Sequence, residues 1–386
     1  MTSVTKKALN IPPFIVMDVL ERAHELEREG RHIIHLEVGE PDFSTPSCIS
    51  DAAVTALHEE KTHYTHSLGL IELREAICED YRKKYGVSIS PDRVIVTSGT
   101  SPGIFMIFSS LLESGDEIIF SNPHYPCYPN IASFIGAAPS FVNVHEEDGF
   151  QYRPEEIKKR ITAKTKAILI NSPSNPAGNL LSPERMKEIA GLAPCVISDE
   201  IYHGLVYGEK EHSILEFTDR AFVLNGFSKL YAMTGWRLGY VIAPREFVRP
   251  MQKIQQNFFI SAGSISQWAG IAALTKAERD VESMRSVYDE RRRYMIRRLR
   301  EIGFGLPVEP RGAFYVLVNA KHISNDSYKL AFEILEDAGV GVTPGIDFGS
   351  NAEGYLRFSY ANSLDNIRIG LDRIEELIRI LSPGCE

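Results

Sequence analysis

The chain has 386 residues, 44% hydrophobic and 24% charged, with a formal net charge of −9. That length holds one large core and a second smaller one, because single cores stop growing near roughly 250–300 residues. The acidic balance argues against a general affinity for nucleic acid or an anionic membrane.

Five scattered cysteines (Cys48, Cys78, Cys127, Cys195 and Cys385) form neither a C-x-x-C pair nor a zinc spacing, and read as reduced thiols of a cytoplasmic protein. The apolar run Ile11–Val16 contains Pro12 and Pro13 and no cleavage site follows it, so it does not read as a signal peptide. No stretch approaches the roughly 18 apolar residues of a membrane span.

In chain order, Val16–Glu29 reads as an amphipathic helix ended by Gly30, with Leu20, Ala23 and Leu26 on one face. The apolar run Ile33–Val38 opens into the turn-rich loop Gly39–Pro46, where Gly39 either brings backbone close to a ligand or makes a simple turn. Residues 50–60 and Ile71–Tyr85 read as helices. Between them, His63 and His66 flank Tyr64, but no third donor stands nearby, which argues against a metal there.

Arg93–Thr97 has the composition of a buried strand and runs through Ser98-Gly99-Thr100-Ser101 into an apolar helix, Ile104–Leu112. Ser101 fits the cap position and Pro102 the first turn. A strand, a small-residue turn and a helix N-terminus make an anion site, because free N–H groups and the helix dipole point at it. The turn matches neither dinucleotide nor ATP signatures, so it points to a phosphate of another kind, or to a plain capped helix.

Strands and helices then alternate: Glu117–Phe120, the stiff aromatic loop Asn122–Pro129, Ser140–Val144, the helix Glu155–Arg160, Lys166–Ile170, the helix Pro183–Ala190, Cys195–Ser198 and Ala221–Leu224. This order is that of a mostly parallel sheet with helices on both faces, an α/β fold whose ligands gather beyond the strand ends. Polar clusters at 98–101, 171–178, 199–202 and 228–237 each follow a strand and are expected to converge.

After Pro250 the pattern changes. Ile254–Thr275 reads as helical, and Glu278–Ile302 as a long arginine-rich helix with a solvated face. A strand Ala313–Val318, a helix Ser327–Ala338, a strand Tyr355–Tyr360 and a helix Leu364–Leu381 complete a smaller α+β unit. The expected division is a large domain, 45–285, and a small domain of 1–44 with 286–386. Arg357 lies within an alternating strand, an odd place for a charge without an anionic partner or ligand.

Between Ala221–Leu224 and Leu238–Ala243 lies a segment that carries Lys229 and Arg237. Such residues are almost never fully buried unpaired. A lysine with a lowered pKa can attack a carbonyl, and an arginine can fork onto a phosphate; a structural ion pair is the alternative.

Together these residues resemble the class I/II aminotransferases of pyridoxal 5′-phosphate fold-type I. The resemblance rests on Ser228-Lys229 with Thr234-Gly235-Trp236-Arg237-Leu238-Gly239, on Asn171-x-Pro173-x-Asn175-Pro176-x-Gly178 and on Ser198-Asp199-Glu200-Ile201-Tyr202. Gly39–Phe43 and Arg357–Ala361 fit the branch with aspartate, alanine and aromatic aminotransferases.

The resemblance implies a pyridoxal phosphate cofactor and no metal. Lys229 would form the Schiff base and carry the proton, and Asp199 would pair with the ring nitrogen. Asn175 and Tyr202 would reach the ring oxygen, and Tyr125 would stack on the ring. Gly99, Thr100, Ser101 and Arg237 would hold the phosphate, with Ser228 a further candidate because Gly226 stands where some relatives have serine. Arg357 would take the substrate carboxylate, helped by Asn175 and the backbone of Gly39. Tyr64 would reach the neighbouring active site of a homodimer.

The implied reaction moves an amino group from an L-amino acid to a 2-oxo acid. A β-lyase or an aminocyclopropane-carboxylate synthase-like enzyme would share the same first steps. A transcription regulator is disfavoured, because family-like sequence from about Ile11 leaves no room for a DNA-binding region.

Overall fold

In the computed structural model, residues 3–192 and 194–381 are described. The central strands are short runs of β-branched and aromatic residues, as suits a sheet covered on both sides. Numbered along the chain, the strands are β1 (Ile34–His35), β2 (Val94–Thr97), β3 (Glu117–Asn122), β4 (Ala138–Asn143), β5 (Thr165–Asn171), β6 (Val196–Asp199), β7 (Ala221–Gly226) and β8 (Gly239–Ile242). They continue with β9 (Tyr315–Asn319), β10 (Val340–Gly341), β11 (Thr343–Pro344) and β12 (Tyr355–Ser359).

The large sheet runs in the order β2-β8-β7-β6-β5-β3-β4. Only β8 runs against its neighbours; the pairs from β7 through β4 are parallel. Alternate residues feed two separate apolar cores: Val94, Val96, Ile168 and Ile170 enter one, and Ile95, Ala167 and Leu169 the other. Both faces are therefore buried, as the alternation of strands and helices implies. A smaller antiparallel sheet has the order β11-β12-β9, and β1 pairs with β10 in parallel. Arg298 of the long helix reaches Glu375 at 2.6 Å and Asp372 at 3.0 Å, tying Glu278–Ile302 to the last helix, Leu364–Leu381.

Three expectations are corrected. The stretch 254–275 is two helices, Arg245–Phe258 and Ser264–Lys276, broken where Ile260 takes a left-handed φ of 64°. Pro250 lies inside the first of them. Of the apolar run 33–38, Ile34–His35 forms a strand, because β10 offers it a two-residue partner. The helix after β2 begins at Thr100, with Gly99 (φ 93°) as its cap residue and Ser101 already inside. Glycine lets the chain turn there without an intervening cap side chain. Finally, the long helix is not solvated all round: Arg291 is buried and meets Asp42 at 2.7 Å, and Arg292 is buried and meets Asp289 at 2.7 Å.

Candidate active site

The strand-end segments meet at one cavity of about 230 Å³. Its walls include Gly39, Thr100, Ser101, Tyr125, Asn175, Asp199, Tyr202, Lys229 and Arg357. The C-terminal ends of β5, β6 and β7 supply Asn175, Asp199 with Tyr202, and Lys229. The smaller sheet closes the cavity with Arg357 from β12 and Tyr315 from β9.

Lys229 donates from Nζ to the carbonyl of Gly39 at 2.6 Å. Burial pushes its pKa down to about 8; Glu40 opposes this, while Arg357 and Arg237 add to it. Asp199, only 4% exposed, accepts from the Tyr128 hydroxyl at 2.6 Å and from the Ile201 N–H at 3.1 Å. Burial raises its carboxyl to about 6 despite those two donors. Desolvation acts on the charged form of each group, which is why the lysine falls and the carboxylate rises.

Arg357 is 3% exposed. Its Nη1 donates to Asn175 Oδ1 at 2.8 Å, and its Nη2 to the Glu37 carbonyl at 2.5 Å and Thr343 Oγ1 at 3.0 Å. Among the described residues its Nε has no partner. Tyr315 lies under the guanidinium, 4.3 Å from ring centroid to Cζ, and shares a hydrogen bond of 2.9 Å with Tyr202. A side chain at Gly39 would collide with Tyr315, since a Cβ there would lie 1.8 Å from its hydroxyl oxygen.

At the start of the helix Thr100–Leu111, a Cβ on Gly99 would lie 2.4 Å from Arg237 Nη2. Arg237 and the free N–H groups of that helix thus face one position suited to an anion. Gly239 admits the turn from below, because its Cβ would lie 2.8 Å from the Gly99 carbonyl carbon. Gly226 is similarly confined: a Cβ there would come within 3.0 Å of the Leu238 carbonyl oxygen, which leaves little room for a serine. Ser228 is buried, and it does not line the cavity, nor do Gly99 and Arg237. Tyr64, 86% exposed, does not line its own chain's cavity either.

Sequence reasoning missed Tyr128 and Tyr315, and gave Asn171 a place in the motif but no role. Asn171 joins two strand-end turns, donating to the Asp199 carbonyl at 3.0 Å and accepting from the Asn175 N–H at 2.7 Å. The aromatic loop 122–129 pointed to the region of Tyr128 without singling it out.

A buried amine beside a buried carboxylate, with an anion position at a helix start and an unpaired buried arginine opposite, fits pyridoxal phosphate in charge and donor type. The class so defined is a pyridoxal-phosphate-dependent, amino-group-transferring enzyme on a parallel α/β sheet. The chain belongs to the aminotransferase class I and II family, whose profile matches residues 31–374.

Over 379 residues it is 46% identical to the (5-formylfuran-3-yl)methyl phosphate transaminase of Methanocaldococcus jannaschii, covering 97% of this chain and 99% of that protein. It is 39% identical over 384 residues to the aspartate aminotransferase of Pyrococcus horikoshii, covering 97% of each. The aspartate aminotransferase of Thermus thermophilus, solved with maleate, superposes with a TM-score of 0.94 at 37% identity over 98% of this chain and 100% of that one. The protein is therefore a transaminase, and the lyase and synthase alternatives are not favoured.

Proposed function

We propose that Lys229 anchors pyridoxal phosphate and carries the substrate's α-proton, with Asp199 as the partner of the ring nitrogen. When bound, the cofactor supplies an aldehyde carbon that takes up the amino group and a ring that draws in the electrons released at the α-carbon. The protein's part is to place protons and charges. A lysine with a pKa of about 8 is partly neutral near physiological pH, as attack on a carbonyl and abstraction of a proton both require.

Among the described residues Asp199 has no cation at hydrogen-bond distance, and a protonated ring nitrogen would complete it. Tyr202 offers a hydroxyl to the ring oxygen; Asn175, whose Oδ1 is taken by Arg357, offers its amide N–H. Tyr125 covers one ring face. Thr100, Ser101, Gly99 and Arg237 hold the phosphate, with Ser228 beside them. Arg357 holds the α-carboxylate as a forked pair, helped by Asn175 and the backbone of Gly39.

The observation that carries this reading is Arg357, a buried cation bonded, among the described residues, only to neutral acceptors. The apolar lining of the cavity includes Phe14, Val16, Met17, Val38 and Ile104, and among the described residues the cations that line it are Lys229 and Arg357. The side chain taken is accordingly apolar or aromatic rather than acidic. The similarity to the Methanocaldococcus enzyme supports a furan aldehyde phosphate as a second class of acceptor.

Single half-reactions, followed by cofactor absorbance, test both points. Phenylalanine and leucine should convert the cofactor faster than aspartate does. Lys229→Ala should lower the rate by at least about 10²–10⁴-fold. Arg357→Ala should raise KM with cofactor still bound, and an unchanged KM would remove it from carboxylate binding.

The large domain is 45–285 and the small domain 1–44 with 286–386, matching where the large and small sheets fall. The working form is a homodimer in which the exposed Tyr64 serves the neighbour's phosphate. A cytoplasmic location accords with the unpaired Cys48, Cys78, Cys127 and Cys195; among the described residues, no helix is long and apolar enough to cross a membrane.

A further inference from the structure

Away from the cavity, the helix Ile15–Arg28 and strand β1 bring His24, Glu27 and His35 together, one donor atom from each lying within 4.8 Å of the others. His24 and Glu27 share a helix face at the i, i+3 spacing. His35 is set from a different element, by the pairing of β1 with β10 at His35 and Gly341.

The ring of His35 is held from behind. Its Nδ1 lies 2.6 Å from Glu37 Oε1, and its Nε2 lies 3.1 Å from Glu27 Oε1. Glu37 is 0% exposed, and its Oε2 has no partner among the described residues. Gly341 makes room for that carboxylate: a Cβ there would lie 2.1 Å from Oε2. A buried carboxylate that fixes one imidazole nitrogen, so that the other faces a second donor set, is how proteins orient a metal-binding histidine. An imidazolium donating to Glu37 and Glu27 accounts for both carboxylates at His35; it does not account for His24, which brings a third donor to the same point with its ring 5.7 Å from that of His35.

We propose that His24, Glu27 and His35 form a site for a divalent cation of the zinc class, with water in the fourth position. Two imidazoles and one carboxylate suit such a borderline cation better than calcium or magnesium, which prefer all-oxygen sites. The exposed His24 and Glu27 close onto the fixed His35 Nε2, and the proton at that nitrogen is released. The occupied site pins the N-terminal helix to β1. This site departs from the expectation of no metal, and its donors come from two elements, His35 being brought to His24 and Glu27 by the fold.

The test uses holoenzyme freed of metal with a chelator, then titrated with Zn²⁺ by calorimetry and with Co²⁺ by visible absorption. One equivalent should bind, Co²⁺ should show intense tetrahedral bands, and Zn²⁺ should raise Tm. His24→Ala should abolish the bands and the Tm rise, and Glu27→Gln should weaken binding about tenfold or more. Borohydride-reduced enzyme should bind the same equivalent, which separates this site from chelation by the cofactor. The proposal fails if wild type shows no saturable binding, if His24→Ala binds equally well, or if reduction removes the site.

Discussion

Lys229 and Asp199 are displaced from their ordinary pKa values in opposite directions by the same desolvation, and each shift has a pH consequence. Lys229 becomes neutral through about pH 8. The rate at which cofactor-free enzyme takes up pyridoxal phosphate covalently should therefore rise with pH and level off above about 8; stopped-flow absorbance checks this.

Asp199 has a folded pKa of about 6 against an ordinary value of 3.8. Between those values the folded state binds more protons than the unfolded one, so cofactor-free stability falls as pH rises through that window. Asp199→Asn should make the cofactor-free chain about 3 kcal/mol more stable at neutral pH, at about 1.4 kcal/mol per pKa unit, while impairing the reaction. Tyr128→Phe removes a charge-assisted hydrogen bond and should weaken cofactor affinity about tenfold, measured by equilibrium titration. Tyr128 and Tyr315 were not legible in the sequence. Each meets its partner across 71 and 113 residues of chain, and a core tyrosine carries no local mark of what its hydroxyl will touch. Lys229, Asp199 and Arg357 were legible because charges in apolar strand-end surroundings call for a partner.

Elements were legible where local pattern and tertiary packing agree. The helices Ile71–Tyr85, Glu278–Ile302 and Leu364–Leu381 lie where periodicity predicts them, two of them ended by a glycine of positive φ, Gly86 and Gly303. The break between Phe258 and Ser264 was hidden, because the turn uses Ile260 in a left-handed conformation that its side chain does not advertise. The start of the helix at Thr100 was misplaced for a related reason: its boundary is set by Arg237 and Gly239 packing against Gly99, not by a cap side chain. Gly239→Ala should therefore cost about 1–3 kcal/mol of stability, read by denaturant unfolding, and should loosen the cofactor by shifting the phosphate turn.

At the scale of the molecule, the two-sided sheet with a smaller sheet closing its strand ends follows from the order of apolar runs. Whether a second chain completes the site does not, because Tyr64 reveals only that it projects outward. Mixing Lys229→Ala chains with Tyr64→Ala chains provides the check. In a mixed dimer one site collects both defects and the other has neither, so activity should reappear that neither parent possesses; no recovery on subunit exchange would place Tyr64 outside the shared site.

The cavity also bears on how long the protein lasts in a cell. It gathers Lys229, Arg357 and Asp199 out of water with their charges incompletely matched, and a bound cofactor and substrate would complete them. Newly made chains that have not yet met the cofactor should open more often around β7 and β12 and be degraded faster. The amount of enzyme would then follow cofactor supply through turnover, without any change in synthesis.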